Sequence, residues 1–236
     1  MKKYGKKYQE KKKMLDKEIF PLQEAVDLSV DTSPSSFDAT VEVHANMNLD
    51  PRHADQNLRA TVSLPHGTGK KIRIAVFAEE ADAKKALEAG ADKAGEDQLI
   101  DEVTKGNIDF DVAIATPTMM KKMGKIAKVL GPKGMMPNPK AGTVTPDVSK
   151  AVEDLKKGKI EYRCDKEGIV HVGIGKISFG KEKIMDNVKG FLSSLLENKP
   201  KGAKGAYFKS LTLSSSMGPG IAVDISSAME IVKPGK

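Results

Sequence analysis

Two rhythms of apolar and polar residues divide this chain. Over 37–44, Phe37, Ala39, Val41 and Val43 alternate with Asp38, Thr40, Glu42 and His44, the period of two that places one face of a strand in a core and the other in water. A second alternating run covers 57–64 and ends at Leu64. From 72 the style changes. Ile72, Ile74 and Val76 interleave with Arg73, Ala75 and Phe77, a strand apolar on nearly both sides, as a parallel sheet covered on two faces requires. Alternation returns at 160, where Ile160, Tyr162 and Cys164 oppose Glu161, Arg163 and Asp165, and it recurs in 168–174, 207–213 and 221–225. Helical spacing marks 181–197, with Ile184, Val188, Leu192, Leu195 and Leu196 on one side, and residues 9–30 read as an amphipathic helical region interrupted at Pro21.

The middle of the chain predicts helices at 80–89 and 96–105, closed by Gly90 and Gly106, an apolar strand at 111–115, and a helix at 117–130 that Pro117 starts and Gly131 stops. Strands alternating with helices imply a small three-layer, Rossmann-like α/β unit. The fold class is therefore α/β with two domains. An α+β first domain is built from both termini, 1–66 and 160–236, and 67–159 is inserted into it. The glycine turn at 65–70 and a second turn near 158 form a two-strand hinge. The segment His66, Gly67, Thr68, Gly69, Lys70 looks like part of a phosphate loop, but Leu64 stands where that loop needs its first glycine and Lys71 where it needs a hydroxyl.

Charge sharpens this picture. Among 236 residues, 39 Lys and Arg face 32 Asp and Glu, a net charge of +7 that suits a polyanionic partner. The local imbalance is larger. Residues 1–17 hold eight lysines beside Glu10 and Asp16, and residues 121–140 hold six lysines and no acid, whereas 79–111 hold eleven acids and four lysines. The lysines of 121–140 are expected to find their counter-charge outside the protein. No apolar run reaches the ~18 residues of a membrane span or follows the basic N-terminus as in a secretory signal, so a cytoplasmic protein without a membrane partner is expected. One cysteine and four histidines leave no disulfide and little for a metal site.

Three stretches carry candidate chemistry. Residues 131–146 form a long loop rich in Gly and Pro, whose Lys133 and Lys140 suit phosphates, with exposed Met135 and Met136 set against sugar or base faces. The alternative is an ordered crossover whose methionines plug a gap. On the preceding helix, Met119, Met120, Met123, Ile126, Ala127 and Leu130 share a side that belongs in a core. The wet face of 37–44 and the loop Ser214 to Gly220 offer short hydroxyls and bare backbone that suit ribose hydroxyls and phosphates. His171 reads as a surface or hydrogen-bonded histidine and Cys164 as a small buried hydrophobe. No grouping of Cys/His or Ser/His/Asp suggests a nucleophile, though triads need not be local in sequence.

Five segments in order, FDATVE at 37–42, LPHGTGK at 64–70, GPKGMMPNPKAGTVT at 131–145, YRCDKEGIVHVGIGKISF at 162–179 and SSSMGPGI at 214–221, resemble the family of the large-subunit ribosomal protein number one, the protein of the mobile ribosomal stalk. The resemblance implies the same discontinuous first domain and inserted second domain, and binding of the first domain to a stalk segment of large-subunit rRNA. Carried over by position, it nominates Phe37, Thr40, Glu42, Asp165, Lys166, Gly168, His171, Ser216, Met217 and Gly218. At Ser216 the family commonly has threonine. Lys133, Met135, Met136 and Lys140 would meet RNA peripherally or the departing tRNA. The resemblance further implies assistance in releasing deacylated tRNA from the exit site, repression of the protein's own messenger RNA, and residence in the large ribosomal subunit; a monomer is expected when free. With this resemblance the chain is read as a non-enzyme, for which no catalytic residues, cofactors or metals are expected. Two readings from other classes stand beside it: an enzyme using the inserted α/β unit for a small molecule, and a basic peripheral membrane protein.

Overall fold

A computed structural model of the chain describes residues 5–203 and 205–232, so Lys2 and Lys3 of the basic N-terminus lie outside the described residues. The elements in chain order are α1 (Lys6–Lys12), α2 (Leu22–Asp31), β1 (Thr40–Met47), β2 (Arg59–Ser63), β3 (Ile74–Phe77), α3 (Glu80–Glu88), β4 (Lys93–Gly95), α4 (Asp97–Thr104), β5 (Val112–Ala115), α5 (Met120–Met123), α6 (Ala127–Leu130), α7 (Val148–Lys156), β6 (Lys159–Arg163), β7 (Ile169–Lys176), α8 (Lys181–Glu197), β8 (Phe208–Ser215), β9 (Ile221–Val223) and α9 (Ile225–Val232). The chain is a mixed α/β protein. The described parts of Met1–Gly69 and Ile160–Lys236 make one compact unit and Lys70–Lys159 makes the other.

In the first unit, β1 is the second strand of an antiparallel sheet of order β7-β1-β8-β9. Its alternation is strict: Val41, Val43, Ala45 and Met47 are buried, while Thr40, Glu42, His44 and Asn46 are half-exposed. The buried face shares a core with Leu22, Ala25 and Val26 of α2 and with Ile184, Val188, Phe191, Leu192 and Leu195 of α8. A two-stranded sheet of β2 and β6 adds Ala60, Val62 and Tyr162 to that core. Burying such side chains stabilises by about 1.5–3 kcal/mol each, so the helices belong on this face and the other stays wet. A bulge between Val41 and Glu42 in the β1–β7 pairing sets the register: Glu42 opposes Gly173 and His44 opposes His171.

In the second unit, a parallel sheet of order β4-β3-β5 is covered on both sides. Ala75, Phe77, Ala113 and Ala115 face the core of α4 and α5, with Leu99, Val103 and Met123. Ile74, Val76 and Ile114 face the core of α3 and α7, with Ala86, Val152 and Leu155. This explains why β3 is apolar at all of Ile74, Ala75, Val76 and Phe77.

The structure departs from the sequence expectations in several places. The helical region at 9–30 is two helices separated by residues 13–21, because Phe20 bridges to Val223 and bonds through its backbone to Ala222 and Asp224, burying its ring, while Pro21 starts α2. The expected strand 37–44 begins at Thr40 and runs to Met47, so Phe37 lies outside it and is 59% exposed rather than in the core. The expected helix 117–130 is broken: a 3₁₀ turn at Gly124–Ile126 separates α5 from α6, as glycine's poor helix propensity allows, yet Met119, Met123, Ile126 and Leu130 remain buried. Helices α7 and α9 and strand β4 were not anticipated.

The glycine turn is gripped by the first unit. The buried Asn187 amide donates to the carbonyls of Gly67 (2.9 Å) and Ile174 (2.6 Å), and its oxygen accepts from the His66 N–H (3.0 Å). Gly69, at φ +72°, lies against Lys176 and the Phe179 ring, so residues 67–69, expected with the insertion, pack on the unit built from the termini. Replacing Asn187 with alanine removes three bonds from a fully buried site and leaves backbone groups unpaired. We expect Asn187→Ala to lower unfolding free energy by about 2–4 kcal/mol. Urea denaturation checks this, and an unchanged midpoint would refute the clamp.

Candidate nucleic-acid interface

The wet face of the first sheet is a row of polar groups running across three strands. Ser214 on β8 lies 2.9 Å from His44 Nε2 on β1, His44 Nδ1 lies 2.8 Å from His171 Nδ1 on β7, and His171 Nε2 lies 3.3 Å from the Asp165 carboxylate. One proton assignment satisfies every ring nitrogen: Ser214 donates to His44, His44 to His171, and His171 to Asp165. Asp165 also accepts from the backbone N–H groups of Glu167 (2.9 Å) and Ile169 (2.8 Å). The Ile169 N–H is the main reason its carboxyl is held below the usual carboxylate range. His44 is pushed below the ordinary imidazole value, first by burial and then by the facing His171, against a smaller pull from Glu42.

At the near end of β1, the loop after β8 is docked onto Thr40. The Ser216 N–H donates to the Thr40 carbonyl at 2.9 Å, and the Ser216 hydroxyl accepts from the Thr40 N–H at 3.2 Å. The Ser216 hydroxyl therefore holds the loop in place. Lys176 donates to the Thr40 hydroxyl at 2.8 Å, and Asp38 accepts from the Ser178 hydroxyl and N–H, which lowers its pKa. Met217 has φ +64°, the one non-glycine residue in the left-handed region among the described residues, and its side chain stands 77% exposed. Gly218 packs so closely that a Cβ there would land on the buried Ser215 hydroxyl. Phe37, Met217 and Gly218 line one groove of about 580 Å³.

Most of the candidates in the first unit thus fall on connected structure. Thr40 meets Ser216, Glu42 lies opposite Gly173 and Ser214, and His171 meets Asp165. Gly168 serves the turn: its φ is +85°, its carbonyl accepts from Met47 N–H at 2.9 Å, and a Cβ would press on the Met47 and Leu49 carbonyls. Lys166 is exposed in the same turn. The residues nominated from the resemblance leave out His44, Ser214, Asp38 and Lys176, the first three of which lie on the wet face of 37–44 and in the loop from Ser214 already marked as polar candidates. His44 stood on the polar side of the alternation, which marks it as wet but does not disclose its partner on another strand.

In the second unit the expectations for 121–146 change. Met135 and Met136, expected exposed, are half-buried against the core of Leu99, Met119 and Leu130, where flexible thioethers fill a gap. The loop itself is bonded to the sheet, with Ala115 N–H to Thr143 O at 2.9 Å and Thr145 N–H to Ala115 O at 3.1 Å. Lys133 and Lys140 are exposed. Lys122 finds its counter-charge within the protein, 2.6 Å from Glu96 and 3.1 Å from Asp97, and these bonds raise its pKa. Cys164 is buried, and burial first and Asp165 second push its thiol up to about 11. Among the described residues no group of three or more His, Cys, Asp and Glu could hold a metal ion, and no helix is long and apolar enough to cross a membrane.

Hydroxyls, imidazoles, carboxylates and exposed backbone on a rigid sheet face make a surface that donates and accepts hydrogen bonds, the class of a polar binding protein. The chain matches the model of the Ribosomal protein L1p/L10e family over residues 29–219, and it belongs to that family. It is accordingly a structural, rRNA-binding protein of the large ribosomal subunit, as the five sequence segments indicated, and the family is not one of enzymes.

The imidazole row has a pH consequence. Because the folded state depresses the His44 pKa, the unfolded chain takes up its proton first, so this stability is present above about pH 6.5 and is lost as pH falls below it. Unfolding free energy should decline below pH 6.5 with a His44 contribution no steeper than about 1.4 kcal/mol per pH unit. His44→Gln should flatten that part of the curve. An unaltered slope in the variant would assign the loss to another group.

Proposed function

We propose that the unit built from both termini binds a folded stalk segment of the large-subunit rRNA through Phe37, Thr40, Glu42, Asp165, Lys166, His171, Met217 and the backbone around Gly168 and Gly218, with Ser216 as the clamp that sets the loop. The observation that carries this reading is convergence: residues from 37–44, 165–171 and 214–218 meet on one open sheet face, and Phe37 shares a groove with Met217. Short hydroxyls, imidazoles and main-chain groups reach 2′-hydroxyls and phosphates of a preformed RNA shape, which a flat lysine patch does not discriminate. In the same reading, the exposed Lys133 and Lys140 of the second unit meet RNA peripherally or the departing tRNA. The two chain crossings near 70 and 159 bend to let the stalk open and close, assisting release of deacylated tRNA. The protein's own messenger, folded like the rRNA site, takes the same surface and is thereby repressed.

Filter binding of the purified chain to its large-subunit rRNA fragment, with an unrelated hairpin as control, tests the surface. Met217→Asp should weaken rRNA binding at least about tenfold without loss of stability, because the side chain is already in water and the charge repels phosphate. Lys12→Gln should change affinity little. If about six phosphates are met, log affinity should fall with log salt at a slope of roughly −4 to −5. Equal affinity of Met217→Asp and the parent chain would reject the surface. A messenger fragment that fails to compete with the rRNA would reject the shared site.

A further inference from the structure

We propose that the groove over Phe37 and Met217 receives an unstacked nucleobase of the bound RNA, with the N-terminal helix α1 as its second wall. This deepens the RNA-binding reading above and rests on it.

The groove of about 580 Å³ is bounded on one side by Ser35, Ser36, Phe37 and Met217, and on the other by Lys7 and Tyr8 of α1. Two of these are large apolar side chains standing in water, Phe37 at 59% and Met217 at 77% exposure, and Met217 holds its position at a left-handed φ of +64° that L-residues rarely adopt. Exposed apolar groups so held gain from an occupant with a flat apolar face. Charge narrows the occupant. Helix α1 carries Lys6, Lys7, Lys11 and Lys12 against Glu10, which favours an anionic occupant over a neutral or basic one. A nucleotide joins the needed features: a ring to lie on Tyr8, Phe37 and the Met217 thioether, a phosphate for Lys7, and polar edges or a 2′-hydroxyl for Ser35 and Ser36. A base inside a continuous stack offers no face to such a groove, so the base must be extruded or lie in a bulge or loop.

Helix α1 fits this role for a second reason. It has seven residues and none of them is buried, so core packing does not account for it. A lone helix of that length is marginal in water. One of its ties to the unit is Lys11, which donates to the Asp31 carbonyl at 2.8 Å at the end of α2. A base seated between Tyr8 and Met217 would add apolar contact to a helix none of whose residues is fully buried.

The chain contains no tryptophan, so Tyr8→Trp supplies a single reporter. The full-length variant is titrated with the large-subunit rRNA fragment and with an unrelated hairpin of equal length, following tryptophan emission. Stacking should quench emission at saturation with the rRNA and leave it unchanged with the hairpin. In parallel filter binding, Tyr8→Ala should weaken rRNA binding roughly ten- to a hundredfold, with its circular dichroism spectrum unchanged, and Lys7→Gln should reduce the salt slope by about 1. If Tyr8→Ala binds as tightly as the parent and the Tyr8→Trp emission does not move, while the parent still prefers the rRNA, the base pocket is wrong and the sheet-face reading stands. If the parent shows no preference for the rRNA over the hairpin, both fall.

Discussion

The pairing of β1 on both of its edges is the constraint from which the rest of the first unit follows. Its partners β7 and β8 come from beyond the second unit: His44 pairs with His171 and with Thr212. Closing such long loops costs conformational entropy, which grows only slowly with their length, so an insertion of this size is tolerable once the paired sheet buries enough apolar surface. The core beneath β1 supplies that surface through α2 and α8. One strand therefore does two things at once. Its buried residues hold the two ends of the chain together, and its alternate residues sit in register beside groups that are far away in sequence.

The extent to which this was legible follows from which signals are local. Strict alternation revealed β1, β7 and β8, and the α8 stripe from Ile184 to Leu195 gave that helix its bounds, because both patterns report a face against a core. Phe37 misled. It continues the alternation of Ala39, Val41 and Val43, but periodicity does not show where the sheet ends, and the strand begins at Thr40. The β4 strand has only Lys93, Ala94 and Gly95, all half-buried, and is a strand because β3 offers it a parallel partner. Helix α7 did leave a trace, since Asp147 caps it by accepting from Lys150 N–H and Val148, Val152 and Leu155 recur at helical spacing. The loop beside it drew attention instead. At the site, residue types and wetness were readable, but the contact of His44 with His171 and the clamp of Ser216 on Thr40 depend on register; the bulge at Val41 and Glu42 shifts the pairing with β7, and the unbroken pairing of Val41 with Ser215 on β8 sets the clamp.

Charge shows the same division between sequence and space. The acid-rich and lysine-rich stretches look segregated along the chain, yet in the folded second unit Glu96 and Asp97 hold Lys122, and Asp109 and Asp111 hold Arg73. Exposed pairs of this kind add little stability, with a median near zero to 1 kcal/mol. Their larger effect is on the field. Each lysine bound by a carboxylate is withdrawn from the attraction a distant polyanion feels, so Lys122 counts for less than its charge, and the exposed Lys121, Lys125, Lys128, Lys133 and Lys140 define the cationic surface of 121–140.

The loop at 214–218 concentrates the cost of a binding surface in a few residues. Met217 occupies a left-handed conformation, the Ser215 hydroxyl is buried without a hydrogen-bond partner, and Gly218 tolerates no side chain against it. Strain at a non-glycine φ and an unsatisfied hydroxyl cost on the order of 1–3 kcal/mol each. A free loop would relax. This one is held by two backbone-directed bonds between Ser216 and Thr40, and Thr40 is fixed in turn by the doubly paired β1 and by Lys176. The stability of the sheet is thus what keeps a large apolar side chain presented to water at a fixed angle. A softer sheet would let Met217 fold back and give up the rigid shape that discriminates among folded ligands.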